Sequence, residues 1–262
     1  MSFLETFLVS RFMVFTLVLS RTSGLMLVVP VFSSSGIPRQ ARAFLAVTMA
    51  LLVTPVYLGT SLPPVVNLVE YGRLVVNEVL LGLLLGLGIN ILFSGTQVAG
   101  QLISQMSGLS LADVASPGFD DNQAVFSQLF YLVALAVFVA IGGHRIVIGA
   151  LLDTFAWAPP GHAVIGDSFV DVLVTILTQS FVLGVRAAAP IVTVLLLSTI
   201  LLGLITRTLP QINIIAVGFG LNSLLTLGLL CVTLGAAAWT FQDPAIDALQ
   251  LIQDSLKSAT GS

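Results

Sequence analysis

The chain has 262 residues, of which 57% are hydrophobic and only 8% charged, with a net charge of −3 and a mean hydropathy of +1.09. Soluble domains carry about 25% charged residues, so a chain this apolar cannot cover itself with a water-facing surface, and the bilayer must supply part of its solvent. Lys257 is the sole lysine and arginines are few, which excludes a basic patch for nucleic acid.

Apolar runs fall near residues 12–32, 41–59, 74–106, 124–142, 172–206 and 211–241. They do not alternate with period two in short segments, as a membrane barrel would, so all are read as helices. The expectation is an all-α polytopic membrane protein of about six long, partly broken helices, forming one domain over residues 1–262. The N-terminal residues lack a basic region and an A-x-A cleavage site, so no cleaved signal peptide is expected. Arg21 lies in the middle of the first run. An arginine at the centre of a lipid-facing span costs about 2.5–3.5 kcal/mol, so it needs a partner, and Glu78 is the obvious one. Ser33 to Pro38 and Ser61 to Pro64 have turn chemistry and separate the first three runs.

The third run carries Glu78, Gly82, Gly86, Asn90 and Ser94 at steps of four, and after one step of three Gln97, Gln101 and Gln105 continue it. Residues four apart lie one above another on a helix, which makes a slowly winding ridge ~42 Å long, more than the ~30 Å of the hydrocarbon layer. Its glycines permit close backbone approach, and its carboxylate and amides cannot face lipid. Three readings are open: internal packing with Glu78 paired to an arginine of the same chain, a wall of an intersubunit assembly or aqueous channel, and a proton relay through Glu78.

After the ridge, residues 107–122 mix Gly108, Pro117 and Gly118 with apolar Leu109, Leu111, Val114 and Phe119. An apolar, glycine-containing loop behind a polar helix face can seal a channel by dewetting and then shift aside; the other reading is a loop packed permanently beneath other helices. Gly142 to Arg145 reads as an interfacial turn. The fifth run carries Gln179, Arg186, Pro190 and Thr193 on one face and is too long for an ordinary straight span. Pro190 should kink it, and a helical hairpin or a bent, tilted helix is expected. Arg186, Pro190 and Arg207 join Arg21 and Glu78 as candidates for buried ionic or structural polar roles. Cys231, inside the last run, is expected in the core. Residues 242–262 form a short acidic tail with Asp243, Asp247 and Asp254.

Neither His144 nor His162 has metal-ligand spacing, and no nucleotide-binding or hydrolase motif is present. The expectation is a non-enzymatic protein without a cofactor. The positive-inside rule gives no orientation. A six-span serpentine puts Arg39, Arg42 and Arg207 on one side against Arg11, Arg73, Arg145 and Lys257 on the other. Either the helices do not all cross the bilayer or nine basic residues are too few to decide.

Several segments together resemble a known family. They are Arg21 to Pro30, Ile37 to Arg42, Glu78 to Gly86, Ala99 to Ser110, Gly143-His144, Leu152 to Phe155, and Arg207 with Pro210, Gln211 and Asn213. In this order and spacing, from about residue 11 to 230, they look like the FliR/SctT family of type III secretion export-gate subunits, with the last element leaning flagellar rather than virulence-type. The resemblance implies assembly with FliP- and FliQ-like membrane subunits, and an FlhB-like one, into a helical pore for unfolded export substrates. That pore would sit in the bacterial inner membrane, in contact with its lipid, at the flagellar basal body. It also implies helical hairpins lying partly above the membrane plane, and a plug at residues 107–122. Family members often have aromatic residues inside that plug, where Leu111 and Val114 stand here, and proline after Gly-Phe, where Gly220 stands. A rival from another class is a secondary transporter for a small solute, with its site at the Arg186–Pro190 break.

Overall fold

A computed structural model describes residues 3–34, 36–59, 62–63, 67–108, 125–163, 168–208 and 217–233, with isolated tail positions at 235, 246–247, 250–251 and 254. The described residues form helices and no strand. In chain order they are α1 (Phe3–Val28), α2 (Pro30–Ser33), α3 (Arg39–Val53), which tightens into a 3-10 turn at Thr54–Tyr57, α4 (Leu68–Ser107), α5 (Val125–Ala140), α6 (Gly143–Trp157), α7 (Ser168–Thr208) and α8 (Val217–Thr233). Four of them are long and apolar enough to cross a membrane: the Val9–Val28 part of α1, Arg39–Tyr57, α4, and the Val170–Thr208 part of α7. The pair α5 and α6 makes a fifth if it counts as one broken span, and α8 is shorter.

Proline and glycine set most of the helix ends. Pro30 disfavours the helical region for the residue before it, and Val29 is extended at φ −63°, ψ 124°, which splits the first apolar run into α1 and α2. Gly108 closes α4 at φ 80°, and Gly142 separates α5 from α6 at φ 78°, a conformation glycine reaches without a Cβ penalty. The expected turn at Gly142 is therefore present, but a further helix follows directly from Gly143.

Of the two forms expected for the fifth run, a hairpin and one bent, tilted helix, the hairpin is not found. α7 is a single helix of 41 residues with Pro190 inside it. Proline costs a helix one hydrogen bond and a clash with the preceding turn, yet Ala188, Ile191 and Leu195, on both sides of Pro190, are packed in one core cluster and hold the helix together across it. A length of ~60 Å then explains why the run exceeds one ordinary span.

The residues group into two compact units. The first comprises residues 1–91, 142–176 and 246–262, and the second residues 92–141 and 177–245. In the first, α1 packs against α3, around a core that includes Leu17, Leu25, Ala50, Leu81, Leu151 and Phe155. In the second, Ile103, Phe126, Phe130, Ile191, Leu195 and Leu230 pack into one cluster drawn from α4, α5, α7 and α8. Phe93 meets Phe138 and Tyr131 edge to face there. The helix α4 gives its first part to one unit and its last part to the other.

Candidate functional site

Glycines on α4 fix how closely its neighbours approach. In the first unit a methyl group on Gly82 would fall onto the Arg21 carbonyl of α1, and one on Gly24 would meet the Val79 carbonyl of α4. Each helix thus gives up a side chain where the other's backbone arrives, the small-residue mode of membrane helix packing. One turn on, a methyl group on Gly86 would come within 3.0 Å of the Val28 side chain. In the second unit Gly95 faces the Ser180 backbone of α7, and Gly100 the Phe126 backbone of α5.

The α1–α4 crossing holds a buried ion pair. Arg21 Nε donates to Glu78 Oε2 at 2.6 Å, and neither side chain is exposed at all. Arg21 Nη1 donates to the Thr154 hydroxyl at 3.2 Å and Nη2 to the Ala158 carbonyl at 2.9 Å. The Thr154 hydroxyl passes its own proton to the Leu151 carbonyl at 2.6 Å. The second Glu78 oxygen accepts the Gly161 backbone N–H at 2.8 Å, and the guanidinium carbon lies 4.2 Å from the centroid of the Phe155 ring. Charges removed from water are tolerated when their remaining donors and acceptors are matched, and here they are. The network joins α1, α4, α6 and the turn after α6. Its turn depends on Gly161, whose φ of 87° suits glycine, with Pro63 and Leu62 packed above it.

The polar ridge changes surroundings along its length. Glu78, Gly82 and Gly86 are buried inside the first unit. Asn90 is exposed, with its amide donating to the Val28 carbonyl at 3.3 Å. In the second unit Ser94 and Gln97 are half-buried, and the Gln97 carbonyl accepts a hydrogen bond from the Ser127 hydroxyl at 3.0 Å. Gln101 and Gln105 are exposed.

Gly108 ends α4 near the Phe219 side chain, whereas Leu109, Leu111, Val114, Pro117, Gly118 and Phe119 lie outside the described residues, as does most of the tail. Arg186, Pro190 and Arg207, expected in buried roles, are exposed on α7; they point away from the stripe of Ala188, Ile191 and Leu195 that enters the core. Cys231, expected in the core, is exposed on α8. In a helix whose outward face is also apolar, an apolar sequence context does not mark the inward face. Gly220 lies within α8, which runs through it unbroken. Thr154, Ala158 and Gly161 were not expected as partners of the ion pair. Two of them act through the backbone, which leaves no side-chain signal; their one mark in the sequence is the turn chemistry of Ala158-Pro159-Pro160-Gly161. A further polar contact, also unforeseen, links α7 to α8: Ser198 donates to the Asn222 side-chain oxygen at 2.9 Å, both being buried.

Comparison with known proteins agrees with this architecture. Residues 12–245 match the model of a family described as bacterial export proteins, family 1. The chain is similar to the flagellar biosynthetic protein FliR of Caulobacter vibrioides, 28% identical over 87% of this chain and 90% of that protein. It is 31% identical to FliR of Pectobacterium carotovorum over 80% of this chain and 81% of the relative, and 27% identical to FliR of Aquifex aeolicus over 98% and 95%. A match over nearly the whole helical body, with apolar helices long enough to span a bilayer, makes this chain a membrane-embedded member of the bacterial export proteins, family 1.

Proposed function

We propose that this chain is a subunit of the flagellar protein-export gate in the bacterial cytoplasmic membrane, where it joins FliP- and FliQ-like subunits, and an FlhB-like one, around a conduit for unfolded substrates. Its role is structural and conductive rather than enzymatic, as membership in a family of export proteins supports. The flagellar assignment is favoured over a virulence system because the relatives are flagellar biosynthetic proteins.

One observation carries the reading: the polar ridge leaves the protein interior and continues as exposed Gln101 and Gln105 on a helix apolar enough to cross a membrane. Exposed amides at that place need water or another polypeptide. A pore wall or a subunit interface meets the need and lipid does not. The unbroken α7 through Pro190 removes the helix break on which a small-solute transporter site would rest. Residues 107–122, which follow the ridge directly, are assigned as the resting seal against small-ion leakage.

Purification in mild detergent tests the proposal. A gate subunit co-purifies with FliP- and FliQ-like polypeptides in fixed ratio. Recovery as a self-sufficient monomer or homodimer would overturn it.

A further inference from the structure

Arg186 is the only charged residue between Asp171 and Arg207. It is exposed and makes no hydrogen bond or ion pair with the described residues. The opposite side of α7 is committed to the core of the second unit through Ala188, Ile191 and Leu195, so Arg186 cannot reach inward. Pro190, four residues on, has no N–H to give to the Arg186 carbonyl. One position of an apolar helix therefore presents a strong donor on its outer side, beside a carbonyl that lacks its usual i+4 partner.

The surroundings indicate what covers it. Gln179, Arg186 and Thr193 recur every seven residues, with Val182, Ala189 and Leu196 between them, and all six are exposed. A seven-residue period is the spacing a partner helix reads, and polar residues at its seam positions fix partner and register. Lipid imposes no such period. Nor does Arg186 mark a headgroup plane, because large apolar side chains are exposed on both sides of it: Leu177, Phe181 and Val182 before, Leu196, Leu197 and Ile200 after. At a headgroup plane the apolar surface would end on one side.

We infer that the Gln179–Arg186–Thr193 seam of α7 is a docking surface for a membrane-embedded helix of another polypeptide that places a carboxylate opposite Arg186. The inference rests on the proposed multi-subunit gate and adds the chemistry of one of its contacts. The carboxylate neutralises the guanidinium in a medium where an unpaired charge is costly. Its helix shields the seam from lipid.

The test uses the full chain expressed with its gate partners in the native membrane. A photo-crosslinking residue at Val182 or Thr193 should trap another subunit. Arg186→Glu should lower recovery of that subunit at least about tenfold, and Arg186→Gln should lower it less. Replacing the right intramembrane Asp or Glu of the trapped subunit with Arg should restore recovery in the Arg186→Glu background only. Equal thermal stability of the lone variant and wild-type chains in detergent separates lost docking from lost folding. Crosslinks to lipid alone or within the same chain would overturn the inference, as would wild-type recovery with Arg186→Glu. A wild-type chain that brings down no partner would overturn the gate reading itself.

Discussion

Gly161 donates its backbone N–H to the same Glu78 carboxylate that pairs with Arg21, at 2.8 Å and 2.6 Å respectively. A turn between two helices is thereby tied to the point where α1 and α4 cross, inside the first unit. The network is matched nearly atom for atom, so its loss is felt more through orphaned charges than through lost attraction.

Removing one partner should therefore be costly. Arg21→Met or Glu78→Gln should each destabilise the chain by about 3–5 kcal/mol, read as a lower unfolding midpoint in detergent and a reduced yield of assembled particle. The double change Arg21→Met with Glu78→Gln should recover a good part of that loss, since no unpaired charge is left. Strictly additive losses would show that the two residues do not act as a pair.

The reciprocal glycines make a second, steric prediction. Gly82→Leu and Gly24→Leu each drive a side chain into a facing backbone carbonyl, and should prevent α1 and α4 from closing. Gly203, on α7 with open space around its Cα, serves as the control. Gly203→Ala should leave stability unchanged or raise it by up to about 1 kcal/mol. Proteolytic resistance of the purified chain distinguishes the two outcomes.

The Ser198–Asn222 contact should act as a modest clasp between α7 and α8. Interhelical hydrogen bonds in membranes contribute about 0.6–2 kcal/mol, so Asn222→Ala or Ser198→Ala should each cost no more than that. A double-mutant cycle on unfolding midpoints should give a coupling in the same range. Zero coupling would mean that the hydrogen bond does not hold the pair of helices.

Deleting residues 110–116 tests the seal. Cells carrying the deletion should leak small ions through assembled gates, measured as sensitivity to small toxic solutes or loss of membrane potential. Unchanged permeability would make the loop a packing element only.

Much of this was legible in the sequence, for identifiable reasons. Arg21 and Glu78 could be matched because each is costly in an apolar run and each needed the other. The ridge on α4 could be seen because spacing by four is a property of the chain alone. Its division between interior and surface could not. Periodicity says which residues share a face, but the cover over that face changes as a long helix passes α1 and then α5 and α7. Pro190 announces a lost hydrogen bond, yet whether the helix breaks there depends on what holds its two flanks, and α7 is packed through Ala188 before the ring and Ile191 and Leu195 after it. Cys231 and Arg186 were misplaced for a related reason: in a chain whose outside is as apolar as its inside, hydropathy no longer separates outward from inward. The backbone ligands at Ala158 and Gly161 left no trace beyond the turn that bears them.

The account turns on what covers the outer end of the α4 ridge, and lipid-phase photolabelling at Gln101 and Gln105 measures it most directly. The chain should be labelled at both positions when purified alone in lipid nanodiscs, and at neither in the native export particle. Labelling in the native particle as heavy as in the lone chain would place these amides against acyl chains and contradict the export-gate account.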